Sequence, residues 1–237
     1  MRLTASAVIL AAAMAAAAPA VAQQTGQTAG VSSSAQKPPA KLPAPKLPFG
    51  FRVFFIGEGT LMSASDSFKA VSGSAFLTGF GGGAEALNIW KRLFARVGVT
   101  TTAADGERAF VVDGEVIPTG LTIDIGIRTI EIGAGWRMHF AKRPKLVFYY
   151  GGSVLFVKYT EDSQFGAGQD NVDESFRGYS AQAGLEAVIW RWLIAAVEGQ
   201  YRIVPDALGK AGVSKDYNET GLGGAAIRGM IAVRFKK

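Results

Sequence analysis

The chain contains no cysteine, so disulfides, thiolate metal sites and cysteine nucleophiles play no part in its chemistry. Its single histidine, His139, excludes any metal centre that needs two imidazoles. Charged residues amount to only 19% of the chain. Beyond the amino end no stretch reaches the roughly 18 uninterrupted apolar residues that a membrane-spanning helix requires. Large apolar residues are also scarce between Gln23 and Pro48, where Ser, Thr, Gln and Gly give way to QKPPAKLPAPKLP. Such a segment cannot bury a core and reads as an extended, Pro-rich linker over 23–48.

The amino end is itself informative. Met1 and Arg2 supply a positive start, Ala7 to Ala18 an apolar run, and Ala20-Val21-Ala22 an A-x-A cleavage signal before Gln23. These are the features of a secretory signal peptide over 1–22, and the lack of cysteine fits an exported chain that does not rely on disulfides. The single domain then begins at Phe49 and runs to the end of the chain, 49–237.

What the domain has in abundance is two-residue alternation. From Tyr179 to Ile189, apolar Tyr179, Ala181, Ala183, Leu185, Ala187 and Ile189 alternate with Ser180, Gln182, Gly184 and Glu186. After Trp190-Arg191-Trp192 the same pattern returns, with Leu193, Ala195, Val197, Tyr201 and Ile203 opposed to Glu198, Gln200 and Arg202. One face is apolar and the other polar, as in a strand. Each arm reaches the roughly 9–11 tilted residues with which a strand crosses a bilayer. Eight such segments are predicted, at 49–62, 73–87, 93–105, 119–140, 145–160, 175–189, 192–205 and 220–235.

Their connections alternate between short and long. The tight ones are 88–92, 141–144 and 190–191; the long ones are 63–72, 106–118, 161–174 and 206–219. That rhythm is expected of an up-and-down transmembrane β-barrel with short turns at one rim and longer loops at the other. Trp90, Trp136, Trp190 and Trp192 all fall near short turns and predict an interfacial girdle there, with Tyr159, Phe176, Tyr179 and Tyr201 as a second girdle at the far rim. Charge separates along the same axis. The long connections gather acids, with Lys69, Arg108, Lys210 and Lys215 as their only bases, whereas the short turns carry Lys91, Arg92, Lys142, Arg143, Lys145 and Arg191 without an acid. The net charge of +6 therefore describes two opposed ends and not a nucleic-acid-binding surface.

In its signal peptide, the GFGGGAEALNIWKRLFARVGV hairpin at 79–99, GLEAVIWRWLIAAVEGQYRI at 184–203 and a closing strand ending in Phe235, the chain resembles the small eight-stranded outer-membrane β-barrel proteins similar to the OmpA transmembrane domain. The resemblance covers about 49–237 and implies residence in the outer membrane. It also implies lipid and the barrel-assembly machinery as partners, with Phe235 in the assembly signal. Lys236 and Lys237 after that aromatic depart from the pattern.

Charges on the polar faces, Arg52, Glu58, Glu85, Arg96, Glu186, Glu198, Arg202, Arg228 and Arg234, face the narrow interior of such a barrel and predict a salt-bridge plug. Within it Glu198 and Arg228 are expected to pair. A narrow channel and a soluble, secreted calycin-like barrel are the competing readings. The segment 119–140 breaks the alternation: Thr122, Asp124 and Arg128 share even positions, but Glu131, Arg137 and His139 share odd ones. A bulge near Thr129-Ile130, or an outer half projecting beyond the membrane, explains this equally well.

No cofactor, metal or catalytic set is predicted. His139 has no serine or acid beside it, and it falls at the short-turn end. Gly81-Gly82-Gly83 and Gly223-Gly224 lack the GK[ST] and helix that make a phosphate cradle, and 161–174 lacks the ligand spacing of a calcium loop.

Overall fold

In the closing strand, Ile227, Gly229 and Ile231 are exposed while Arg228, Met230 and Ala232 are buried. The same alternation, apolar side chains outward and polar ones inward, governs most of the computed structural model, which describes residues 49–112, 115–140, 142–163, 172–209 and 212–235. The signal peptide and linker read in 1–48, and Lys236-Lys237, lie outside the described residues.

Eight antiparallel strands close in chain order: β1 (Gly50–Met62), β2 (Phe76–Leu87), β3 (Leu93–Val112), β4 (Glu115–Phe140), β5 (Arg143–Ser163), β6 (Val172–Val188), β7 (Leu193–Ile203) and β8 (Gly224–Phe235). β8 returns to β1, from Phe51 opposite Phe235 to Met62 opposite Gly224. Closure leaves no unpaired sheet edge in the membrane, where an unsatisfied backbone group would be costly. The short turns use left-handed backbone at Asn88 and Lys91, and at the 189–192 turn the Ile189 and Trp190 N–H groups both donate to the Leu193 carbonyl.

The connection expected at 106–118 is mostly strand. β3 runs on to Val112 and β4 resumes at Glu115, with a bulge between Glu107 and Ala109. Pro118 is accommodated because β4 pairs with β5 only from Ile123 onward, so the Pro118 nitrogen needs no partner on that side.

β3 to β6 project well past β7, β8, β1 and β2, and there the polarity reverses. Ile123, Ile125, Ile127, Leu155, Val157 and Tyr159 turn inward and are buried, while Asp124, Arg128, Lys158 and Asp162 face out. The register of β4 is continuous through Thr129 and Ile130 on both neighbours, so there is no bulge there; the outer half projects, and this accounts for the broken alternation. Two of the expected aromatic girdle residues belong to this inner surface: Tyr159 is buried in the apolar cluster and Phe176 packs against it, leaving Tyr179 and Tyr201 outside.

The projecting sheet covers two short helices, α1 (Ser65–Ser72) and α2 (Gly212–Asp216), in the connections expected as loops. Phe68 of α1 joins Met62, Leu77, Leu155, Val204 and Leu222 in one apolar layer over the barrel mouth. Glu219 from the β7–β8 connection caps α1: its carboxylate accepts from the backbone N–H groups of Asp66 at 3.1 Å and Ser67 at 2.9 Å, satisfying orphan donors of the first turn. Gly73, left-handed, ends the helix with its N–H on the Lys69 carbonyl.

Candidate functional site

Below the apolar layer, ion pairs line and cross the interior. Arg52 binds Glu85 and, at 2.6 Å, Glu186; Glu186 also receives Arg137. Arg96 binds Glu85 at 2.6 Å and Glu198 at 2.6 Å. Arg228 lies 2.9 Å from Glu58, 2.9 Å from Glu131 and 3.1 Å from Glu198, and Arg202 shares Glu58. Five carboxylates, Glu58, Glu85, Glu131, Glu186 and Glu198, thus face five guanidinium groups, Arg52, Arg96, Arg137, Arg202 and Arg228. Charges withdrawn from water persist only when matched in this way.

The strands explain who meets whom. On paired strands the inward positions set opposite charges side by side: Arg52 is opposite Glu85, Glu85 opposite Arg96, and both Glu58 and Glu198 opposite Arg228. Other pairs cross the interior. Arg96 on β3 reaches Glu198 on β7, and Arg228 on β8 reaches Glu131 on β4; in each case the strands are four apart in a ring of eight and therefore face each other across the diameter. Gln200 donates to Glu131 at 3.1 Å and Ser153 does so at 2.9 Å, occupying its remaining lone pairs.

Around Arg96 the wall is aromatic. Its guanidinium lies 5.5 Å from the Phe54 ring centroid, 5.7 Å from that of Phe94 and 5.6 Å from that of Tyr149. These rings fit because glycines face them. A Cβ at Gly83 would stand 2.7 Å from Phe54, at Gly135 2.6 Å from Phe94, and at Gly184 2.5 Å from the Tyr149 hydroxyl.

Of the residues expected in the interior, Arg52, Glu85, Arg96, Glu186, Glu198, Arg202 and Arg228 come together with Glu58. Arg234 does not join them: it is half-buried at the short-turn end, opposite Arg52, and makes no ion pair among the described residues. Its place is taken by Arg137, which reaches Glu186 from β4. Glu131 and Arg137 were missed as interior partners because the reversal at 123–127 hid the parity of β4; reading backward from the short turn at Phe140 assigns both inward. His139 is partly buried at the same end, and its Nδ1 has no hydrogen-bond partner among the described residues.

Outside, all four tryptophans sit at the short-turn rim. Trp90 meets Trp136 edge-on at 6.4 Å, Trp190 stacks on Trp192 at 5.7 Å, and the Lys91 ammonium lies 4.4 Å over Trp90. Between this rim and Tyr179 and Tyr201 the surface exposes Phe55, Val97, Ile132, Val154, Leu185, Val197 and Ile231. An exposed apolar belt around a charged interior is the reverse of a soluble barrel, so the calycin-like reading does not hold.

A closed ring of eight antiparallel strands with this inverted polarity is a small transmembrane β-barrel of the outer-membrane type. Among solved structures the chain is similar to neisserial surface protein A (12% identity, 80% of this chain and 97% of that one, TM-score 0.44), to Ail of Yersinia pestis (12%, 79% and 97%, 0.41) and to a major outer membrane protein of Thermus thermophilus (11%, 78% and 99%, 0.48). No protein-family model matches the chain, and no curated protein does. The class therefore rests on the chain's own closure and polarity.

Proposed function

We propose that this protein is a non-conducting, non-catalytic outer-membrane barrel that anchors an ordered cap at the cell surface and serves a structural or surface-interaction role. The observation that carries the proposal is the pairing across the diameter, Arg96 to Glu198 and Arg228 to Glu131, which occupies the only route through an eight-stranded barrel. The apolar layer around Phe68, Leu155 and Leu222 adds a second obstruction above it. A surface role is supported by the projection of β3 to β6 and by Glu219, which ties the β7–β8 connection to α1. Against catalysis stands the His139 Nδ1, which meets no serine or carboxylate within hydrogen-bonding reach among the described residues.

The orientation follows from the same features. The end bearing α1 and α2 faces out, and the tight turns with the tryptophan rim face the periplasm, as connection length predicts. The exposed Phe235 at the end of β8, its ring 6.3 Å from Phe51, suits recognition by the barrel-assembly machinery. Cysteines introduced at Lys69 and Lys215 are expected to react with an impermeant maleimide on intact cells, and cysteines at Lys91 and Lys142 only after the outer membrane is disrupted. The reverse pattern overturns the orientation. Vesicles containing the purified protein are expected to exclude sucrose; swelling at a porin-like rate overturns the non-conducting reading.

A further inference from the structure

On the lipid-facing rows of β1, β2, β7 and β8 no cation lies among the described residues. On β4, β5 and β6, away from the short-turn end, three do. Arg128 is directly opposite Lys158, and Arg177 on β6 is opposite Phe156, one step diagonally from Lys158. All three side chains are exposed on the outward face. Immediately below them are Ile130, Ile132, Val154, Phe156 and Tyr179 of the apolar belt, so the cations stand at its upper border, at the depth of lipid headgroups.

Their arrangement is unfavourable for a bare surface. Residues directly opposite on neighbouring strands have Cβ atoms about 4.5–5.5 Å apart, and like charges there repel. Only Lys158 has a carboxylate, Asp173 at 3.0 Å, and both members of that pair are open to water. Arg128 and Arg177 have no ion-pair partner among the described residues. The next acids up the outward face, Asp105, Asp124 and Asp162, lie side by side four register positions above the Arg128–Lys158 pair, away from the belt. The Ser175 hydroxyl, opposite Lys158, adds a neutral donor beside the group.

We propose that Arg128, Lys158 and Arg177 form a clamp for one phosphate of an outer-leaflet lipid headgroup. Charge complementarity and depth together select this occupant: a dianionic group placed between the three cations removes their repulsion, while the acyl chains of the same molecule run down over Ile130, Phe156 and Tyr179. Arginine suits this task because its planar fork donates two hydrogen bonds to phosphate oxygens. Confinement to three adjacent strands makes this a single site and not a ring around the barrel. The clamp depends on the orientation proposed for the barrel only in assigning the leaflet, since binding in micelles is indifferent to which end faces out.

The test uses the folded full chain in maltoside micelles, titrated with diphosphorylated lipid A and with its dephosphorylated form, retention being read by native mass spectrometry. One lipid A is expected to stay bound to wild type, and the dephosphorylated lipid far less. R128Q/R177Q is expected to weaken retention about thirtyfold, near the sum for two surface cations, and R177Q alone by a smaller factor. D173N, which frees Lys158, is expected to retain lipid A at least as well as wild type. R191Q, at the other rim, is expected to leave retention unchanged. Heat-modifiable migration verifies that each variant is folded, and R177Q carries the test should the double variant fail to fold. Equal retention by wild type and R177Q, or equal retention of the two lipids, overturns the clamp. Displacement of lipid A by inorganic phosphate at equal concentration overturns the lipid assignment.

Discussion

Replacing Arg228 with alanine tests the interior most severely, because this side chain serves three carboxylates at once. The loss is not shared equally. Glu58 keeps Arg202, and Glu198 keeps Arg96 at 2.6 Å. Glu131 keeps only Arg96 at 4.0 Å together with its neutral donors Gln200 and Ser153. Removing one partner from a buried pair typically costs about 3–5 kcal/mol, chiefly through the charge left behind. For a domain of this size that corresponds to a fall of about 6–20 °C in the unfolding midpoint. Glu131→Gln removes the stranded charge, so the double variant R228A/E131Q is expected to be less destabilised than the sum of its singles, with a coupling of about 1–3 kcal/mol. The cycle with Glu198→Gln is expected to give a smaller coupling, because Glu198 keeps Arg96 when Arg228 is removed and is not left unpaired. Urea unfolding of the barrel in lipid vesicles, followed by tryptophan fluorescence and gel migration, provides the free energies. Strict additivity of R228A and E131Q refutes the contact across the diameter.

Two further substitutions separate the cap from the wall. Glu219→Ala removes the cap of α1 and is expected to cost about 1 kcal/mol locally, seen as faster proteolysis within 63–75 and 205–223 while the barrel midpoint stays nearly constant; unchanged cleavage rates contradict the capping role. Gly184→Ala places a Cβ 2.5 Å from the Tyr149 hydroxyl and 2.7 Å from the Val197 carbonyl, and is expected to destabilise the barrel by about 1–3 kcal/mol in the same urea assay; wild-type stability there contradicts the packing around Arg96.

The parts of the fold that were legible in the sequence are those in which one physical rule acts alone. From Gly178 of β6 to the end of β8 the inward positions lie in the membrane half or close to it, so alternation assigns both faces, and Glu198 falls opposite Arg228 as parity and a simple hairpin suggest. In β4 two rules compete. Near Phe140 the outward face must suit lipid, whereas beyond Arg128 it must suit water, so Ile125 and Ile132 have opposite directions although both are isoleucine. Gly106 and Pro118 signal a loop, yet a two-stranded ribbon tolerates both at a bulge and a free edge. Partners across the interior, such as Arg52 and Glu186, are brought together only by closure of β8 on β1, and no local pattern encodes that distance. Arg234 illustrates the converse: its parity is right, but its depth places it at the rim, beyond the carboxylates.

The most direct test of the proposed non-conducting interior is single-channel current across a planar bilayer containing the purified protein, compared with the quadruple variant R96A/E131A/E198A/R228A. Wild type is expected to show no persistent steps, because the paired side chains bridge opposite walls. The variant, if it retains heat-modifiable migration, is expected to admit small ions and give brief steps of low conductance. Long-lived steps from wild type, unchanged in the variant, would contradict the seal.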